Sequence, residues 1–139
     1  MSTYNKINSF VADICNKVHN LASDTLQIAL TATANAPVAT NTVLANLTQI
    51  AYTNLSTQVI TTTSSTQTSG TYKLVLAQLT LTASGAVATF QYVVVFNQTS
   101  VTPTDALICW FDYGSAVTLA NGDQFVVGFD LSNGLLQIA

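Results

Sequence analysis

The stretch that decides the fold reads YKLVLAQLTLT at residues 72–82, turns at Ser84-Gly85, and continues as TFQYVVVFN at residues 89–97. Apolar residues in the first run recur with a period of two and occupy both of its faces, as in a strand that is largely covered on both sides. Serine followed by glycine is a turn signal. This stretch therefore predicts two successive β-strands joined by a short turn.

More strands are predicted outward from this stretch, because β-branched and aromatic residues dominate the chain after residue 24. Together they make about seven to nine strands spaced about 8–15 residues apart, which is typical of an antiparallel sandwich or jelly roll. These strands are predicted at residues 25–31, 58–63, 106–113, 117–120 and 124–130, and in the terminal LLQIA.

Turn residues separate these runs. Asn121-Gly122 and Asn133-Gly134 are strong hairpin signals, and loops are predicted at Ala36-Pro37 and around Pro103. The polar tract at residues 64–70 is predicted to be a loop or a hairpin connection. The run TVLANLTQI (42–50) fits either a helical turn or a strand.

The N-terminal segment has the period of a helix instead. Ser2 or Thr3 would cap it, and the helix is predicted over residues 1–22. We therefore expect an all-β fold, an antiparallel jelly-roll-like β-sandwich (24–139) preceded by one N-terminal α-helix, in a single domain spanning residues 1–139. The apolar residues on one side of the helix are Ile7, Phe10, Val11, Ile14, Val18 and Leu21.

The composition excludes several classes of function. Charged residues make up 6% of the chain, with three lysines, no arginine and a net charge of −3, so it is too poor in cations to neutralise the phosphates of a nucleic acid. No apolar run approaches the roughly 20 residues that a membrane span requires. A secretory signal is not expected, so synthesis in the cytoplasm is predicted, and Cys15 and Cys109 are expected to be two separate buried thiols rather than a disulfide.

Candidate catalytic and metal-binding groups are few. His19 is the only histidine and is expected to be packed or solvent-facing rather than catalytic. Asp112, Asp123 and Asp130 lie near predicted turns, where capping of the backbone is favoured over a shared Ca²⁺ site. We expect no enzyme activity, no catalytic or metal-binding residues and no cofactor.

The aromatic residues of the second half allow two interpretations. Trp110 and Tyr113 would form a sugar-stacking patch, or the aromatic side chains would pack in the core. Core packing is favoured because Ile108 and Trp110 share a face of their strand.

Several segments together resemble a family of small tailed-phage and prophage capsid decoration (cement) proteins, and the resemblance covers nearly the whole chain. Its most specific parts are Asp24-Thr25-Leu26, WFDYGS at residues 110–115 and LANGD at residues 119–123. The resemblance implies a structural virion protein that is made in the host cytoplasm and binds the major capsid protein on the outside of a phage head. The absence of Glu and Arg departs from the family.

The surface that meets a partner is predicted from the N-terminal helix. This helix either docks on the capsid, forms a homodimer, or covers one end of the sandwich; a dimer through edge strands is also expected to be favourable. The alternative function is a carbohydrate-binding jelly-roll module of a phage fibre or tail component. The predicted capsid or dimer contacts are Tyr4, Ile7, Phe10, Val11 and Ile14.

Overall fold

The computed structural model describes residues 2–139. Strands account for 46% of the chain and helix for 9%, so the fold is mostly β with one short N-terminal helix, as predicted. The strands and the α-helix in chain order are β1 (Asn5–Lys6), α1 (Ser9–Cys15), β2 (Leu26–Thr31), β3 (Val59–Ile60), β4 (Thr62–Thr68), β5 (Thr71–Leu76), β6 (Leu79–Thr82), β7 (Phe90–Val101), β8 (Thr104–Val117), β9 (Gln124–Val127) and β10 (Leu136–Ile138). Two 3-10 helices of three residues each, Thr33–Asn35 and Leu44–Asn46, lie between β2 and β3 and supply the rest of the helix content.

The largest sheet is built around the long β7–β8 hairpin. Its five strands lie in the order β1-β8-β7-β2-β3, and every neighbouring pair is antiparallel. Val94 pairs with Trp110 and Val95 with Cys109 at the middle of the hairpin. Valine and aromatic residues favour this arrangement because their side chains pack well on a pleated, half-buried surface.

Two smaller antiparallel sheets complete the fold. One has three strands in the order β10-β5-β4, and the other pairs β6 with β9. Leu74 and Leu76 of β5 are fully buried, and they join Leu81 of β6 and Ile28 of β2 in one hydrophobic cluster. All three sheets therefore share a core.

The helix is much shorter than predicted. It spans Ser9–Cys15 rather than residues 1–22, because Asn5 and Lys6 pair with β8 before it begins. Lys17 takes a positive φ of 62° directly after it, a conformation that an α-helix cannot continue through. The predicted caps Ser2 and Thr3 therefore lie outside the helix.

Three strand predictions also need correction. The polar tract at residues 64–70 is mostly strand β4 and not a loop, because its threonines and serines pair with β5. The run at residues 72–82 divides into β5 and β6 at Ala77-Gln78. Residues 118–120 form no strand, and the Asn121-Gly122 turn leads into β9, which pairs with β6.

Candidate functional site

A cleft of about 440 Å³ lies where the N-terminal segment, β8 and β9 meet the segment before β10. Most of its wall is apolar, and its volume is in the range of sites that hold a small ligand or a partner's side chain. The cleft is the best candidate for a binding site in the part of the chain described. We call it the aromatic cleft, after Tyr4, Phe111, Tyr113, Phe125 and Phe129.

The strand period explains how β8 contributes to this cleft. Cys109, Phe111 and Tyr113 are two residues apart, so they point to the same side of the strand. Cys109 is fully buried at the inner end of this row, whereas Tyr113 is 55% exposed at the outer end. The row thus runs from the core to the surface along one wall.

Edge-to-face contacts hold the rings in place. Tyr4 meets Phe111 with 5.9 Å between ring centroids, and Tyr113 meets Phe125 at 5.4 Å. Phe125 in turn packs at 5.1 Å against the fully buried Phe90. Because such pairs favour one geometry over others, the cleft has a preformed shape anchored to the core.

Tyr4 of the cleft wall and Cys109, which is buried behind it, are both uncharged. The Tyr4 hydroxyl reaches the buried Cys109 thiol, and burial, reinforced by the neighbouring thiol, raises the pKa of Tyr4. Burial likewise raises the pKa of the Cys109 thiol. Both groups are therefore protonated at neutral pH, and Cys109 is not a thiolate nucleophile.

Asp130 is the charged residue at the rim. Its carboxylate accepts hydrogen bonds from the backbone N–H groups of Ser132 and Asn133, both at 2.8 Å, and from the Asn133 side chain at 2.9 Å. These bonds, with a smaller contribution from Lys73, lower the pKa of Asp130. The carboxylate thus serves the turn before β10.

The other two predicted turn aspartates have the same role. Asp112 accepts from the Gly114 N–H at 2.7 Å, and Asp123 accepts from the Ala120 N–H at 2.8 Å. The prediction that these aspartates bond nearby backbone is confirmed. Within residues 2–139, no group of three or more His, Cys, Asp or Glu side chains is arranged to hold a metal ion.

The five residues predicted to contact a capsid or dimer partner differ in how far they are exposed. Tyr4 lines the aromatic cleft and is 36% exposed, and Val11 is 51% exposed on α1. Ile14 is half-buried and packs against the core. Ile7 and Phe10 are 0% and 6% exposed, so they are core residues and not partner contacts, a correction that follows from α1 turning this side inward.

Trp110 and Tyr113 do not form a common patch. They are three residues apart on β8, so they point to opposite sides of the strand. Trp110 is half-buried against the hydrophobic core, which agrees with core packing, and Tyr113 is the exposed ring. The alternative of a shared sugar-stacking patch is therefore wrong, and the ring that meets Tyr113 is Phe125 of β9, the next strand along the chain.

His19 belongs to a buried polar cluster with Asp24 and Asn97. Its ring packs on Phe10 with 5.3 Å between centroids, and its Nδ1 lies 3.0 Å from the amide nitrogen of Asn97. Burial lowers the pKa of His19, although the charges of Asp13 and Asp24 oppose this effect. His19 was expected to be either packed or solvent-facing, and the structure shows that it is packed.

Sequence reasoning missed Asn97 and Asp24. Asn97 is fully buried at the end of the apolar run of β7, and its amide also donates to Asp24. The signal that could have found it is an amide at the end of a buried apolar strand, because buried polar groups are normally hydrogen-bonded.

The two cysteines are free. Cys109 is buried as predicted, but Cys15 is exposed because it lies at the end of α1. The expectation of two buried thiols was therefore wrong for Cys15.

No protein-family model, curated protein or solved structure matches the chain. Neither α1 nor any other helix in residues 2–139 is both long and apolar enough to cross a membrane.

Proposed function

We propose that this chain is a structural virion protein, a capsid cement or decoration subunit that binds the outside of a phage head and stabilises contacts between major capsid proteins. The aromatic cleft carries the proposal, because it combines a preformed apolar wall with exposed side chains at its rim. Tyr113 is 55% exposed and Val126 is 49% exposed there. The resemblance of the chain to decoration proteins supports the same interpretation.

Burial of these side chains would give each subunit a favourable but modest contact. Apolar surface contributes about 25 cal/mol for each Å² removed from water. The surrounding surface is cheap to dehydrate, since charged residues are only 6% of the chain and Thr and Ser are common. A ligand that prefers the assembled shell to its separate subunits stabilises the shell, and the repetition of contacts on one particle adds avidity.

The remaining features of the proposal follow from this role. The protein works as a structural subunit without catalysis, it is made in the host cytoplasm, and it resides on the capsid surface as a homodimer. The three sheets are proposed to form a jelly-roll-like β-sandwich. Burial of Leu74 of β5 and Ile28 of β2 in one core supports two facing layers.

A binding assay on heads that lack the protein tests the capsid role. Wild-type protein is expected to co-sediment with such heads and to raise the temperature at which they release DNA. Val126→Asp would place a charge at the apolar rim and is expected to weaken binding at least tenfold. Val38→Asp is the matched control, since Val38 is 51% exposed and does not line the cleft.

The outcome that contradicts the capsid role is simple. If the wild-type protein neither binds the heads nor changes their stability, it is not a cement subunit.

A carbohydrate-binding module is the second candidate, and one observation favours it. The exposed ring of Tyr113 stands at the mouth of a cleft of about 440 Å³, the size of a small-ligand site. In that case a glycan array would give binding that Tyr113→Ala abolishes and that requires no capsid. Trp110→Ala, which alters a half-buried side chain pointing to the other side of β8, is the control.

A further inference from the structure

Strand β4 has an unoccupied edge. It is the outer strand of the three-stranded sheet, and β5 lies on one side of it only. Among the hydrogen bonds that residues 2–139 form, none joins another strand or a side chain to the outer backbone groups of β4. Gln67 and Thr68 are exposed, so no loop covers this end of the edge.

The edge is long and unprotected in comparison with the others. β4 has seven residues, whereas β1 and β3 have two each, β10 has three, and β6 and β9 have four each. Natural proteins usually protect edge strands with charges, prolines or short length, since an open edge is a template for another strand. β4 (TTSSTQT) contains no charged residue and no proline. Its register shift falls at Thr62–Ser64, so the pairing from Ser64 to Thr68 is regular.

The composition of β4 suits a second copy of itself. In an antiparallel pair related by a two-fold axis, residues equally spaced on either side of the axis face each other. An axis at Ser65 places Ser64 opposite Thr66 and Thr62 opposite Thr68. Cross-strand pairs of Thr and Ser are favourable, and no like charges meet.

The nearest cation does not oppose this pairing. Lys73 lies opposite Thr66 on β5, and its ammonium group donates to the Ser132 carbonyl at 3.2 Å. Two copies of Lys73 would be separated by three strand spacings, about 14 Å. This exceeds the screening length of about 8 Å at physiological salt, so their repulsion is small.

We infer that two copies of this chain pair through β4 in antiparallel orientation and form a continuous six-stranded sheet. This inference rests on the homodimer part of the proposed function and names its surface, but it requires no capsid. No β4 residue lines the aromatic cleft, so both clefts of the dimer stay open. The dimer would therefore be bivalent, which strengthens attachment to a repeating surface.

Light scattering during size-exclusion chromatography tests the inference on the full chain. The wild type is expected to have twice the 14.7 kDa mass of one chain. Thr66→Lys, which places a like charge near the axis in both copies, is expected to halve that mass. Thr80→Lys is the control, because Thr80 is an exposed strand threonine on β6. Mixing Thr66→Lys with Thr66→Asp is expected to restore the dimer.

Hydrogen–deuterium exchange of the wild type gives a measurement that depends on no variant. The β4 amides are expected to exchange more slowly in concentrated than in dilute protein. A monomeric wild type, a Thr66→Lys protein that stays dimeric, or β4 exchange that is independent of concentration overturns the inference. A monomer that still binds phage heads would overturn only the dimer, whereas a β4 dimer that does not bind them would overturn only the capsid role.

Discussion

The side-chain amide of Asn97 donates one hydrogen to Nδ1 of His19, 3.0 Å away, and the other to the carboxylate of Asp24. The orientation of the amide is fixed, because its oxygen accepts the Thr99 backbone N–H at 2.9 Å. His19 must therefore accept at Nδ1, which makes it the neutral tautomer with its proton on Nε2. One buried amide thus fastens the segment after α1 to β7.

Replacement of Asn97 by alanine is expected to destabilise the fold. The change leaves His19 Nδ1 and the Thr99 N–H without a partner and removes one of the two donors to Asp24, which keeps the Asn20 N–H. A buried polar group that loses its partner costs about 1–3 kcal/mol. We expect the free energy of unfolding in urea to fall by about 2–4 kcal/mol. Gln98→Ala is the control, since the bond of Gln98 to Gln27 is exposed. A loss as small as that of the control would show that the cluster contributes little.

Stability is expected to depend on pH through His19. Because burial lowers the pKa of His19 below its ordinary 6.5, the unfolded chain binds a proton more readily than the folded chain. The contribution of neutral His19 to the stability of the folded state is therefore fully present above pH 6.5. It is lost as the pH falls toward the lowered pKa that His19 has in the folded chain. The free energy of unfolding should therefore decrease between pH 7 and pH 5, by at most about 1.4 kcal/mol per pH unit for one group, and the unfolding temperature should fall with it.

His19→Gln provides the comparison for this dependence. Glutamine does not titrate, so the decrease between pH 7 and pH 5 should largely disappear in the variant, whatever its stability at pH 7. An equal decrease in both proteins would assign the dependence to other groups. Asp130 does not compete in this window, because its pKa is lowered and its contribution is lost only in stronger acid.

Local patterns predicted much of the fold, and contacts distant in sequence account for most of what they missed. The apolar run of β7 was recognisable because its physics is local. Asn121-Gly122 and Asn133-Gly134 do form turns, but neither closes the predicted hairpin, because β9 pairs with β6 and β10 pairs with β5. The N-terminal helix was predicted too long, since the pairing of Asn5 with Trp110 cannot be read from helical periodicity. β4 was missed because its polar residues satisfy strand geometry only when β5 is beside them.

The aromatic cleft could likewise be predicted only in part from the sequence. Period two places Phe111 and Tyr113 on one side of β8, which the sequence alone allows one to predict. Phe125 reaches Tyr113 only because β9 crosses to pair with β6 rather than folding back on the end of β8. The strand order, and not the composition of any single strand, creates the cleft.

The two thiols are expected to react at very different rates. Cys15 is exposed and Cys109 is fully buried next to Tyr4. Brief treatment of native protein with a maleimide should modify Cys15 alone, as peptide mass spectrometry would show. Both should react in urea. Modification of Cys109 at a similar rate in the native protein would mean that β1 and Tyr4 open frequently.

Gly134 is expected to be required for the attachment of β10. It has a φ of +80°, and a Cβ atom there would overlap the backbone carbonyl of Leu74, which accepts the Leu135 N–H at 2.7 Å. Gly122 has a similar φ of +89° but open space around it, so it is a matched control. Gly122→Ala should cost about 1 kcal/mol from backbone strain alone. Gly134→Ala should lower the free energy of unfolding by at least about 2 kcal/mol more than Gly122→Ala does. The reason is that the clash is with backbone that cannot move without breaking the β5–β10 pairing. Equal unfolding free energies for the two variants would show that β10 can shift away from β5 at little cost.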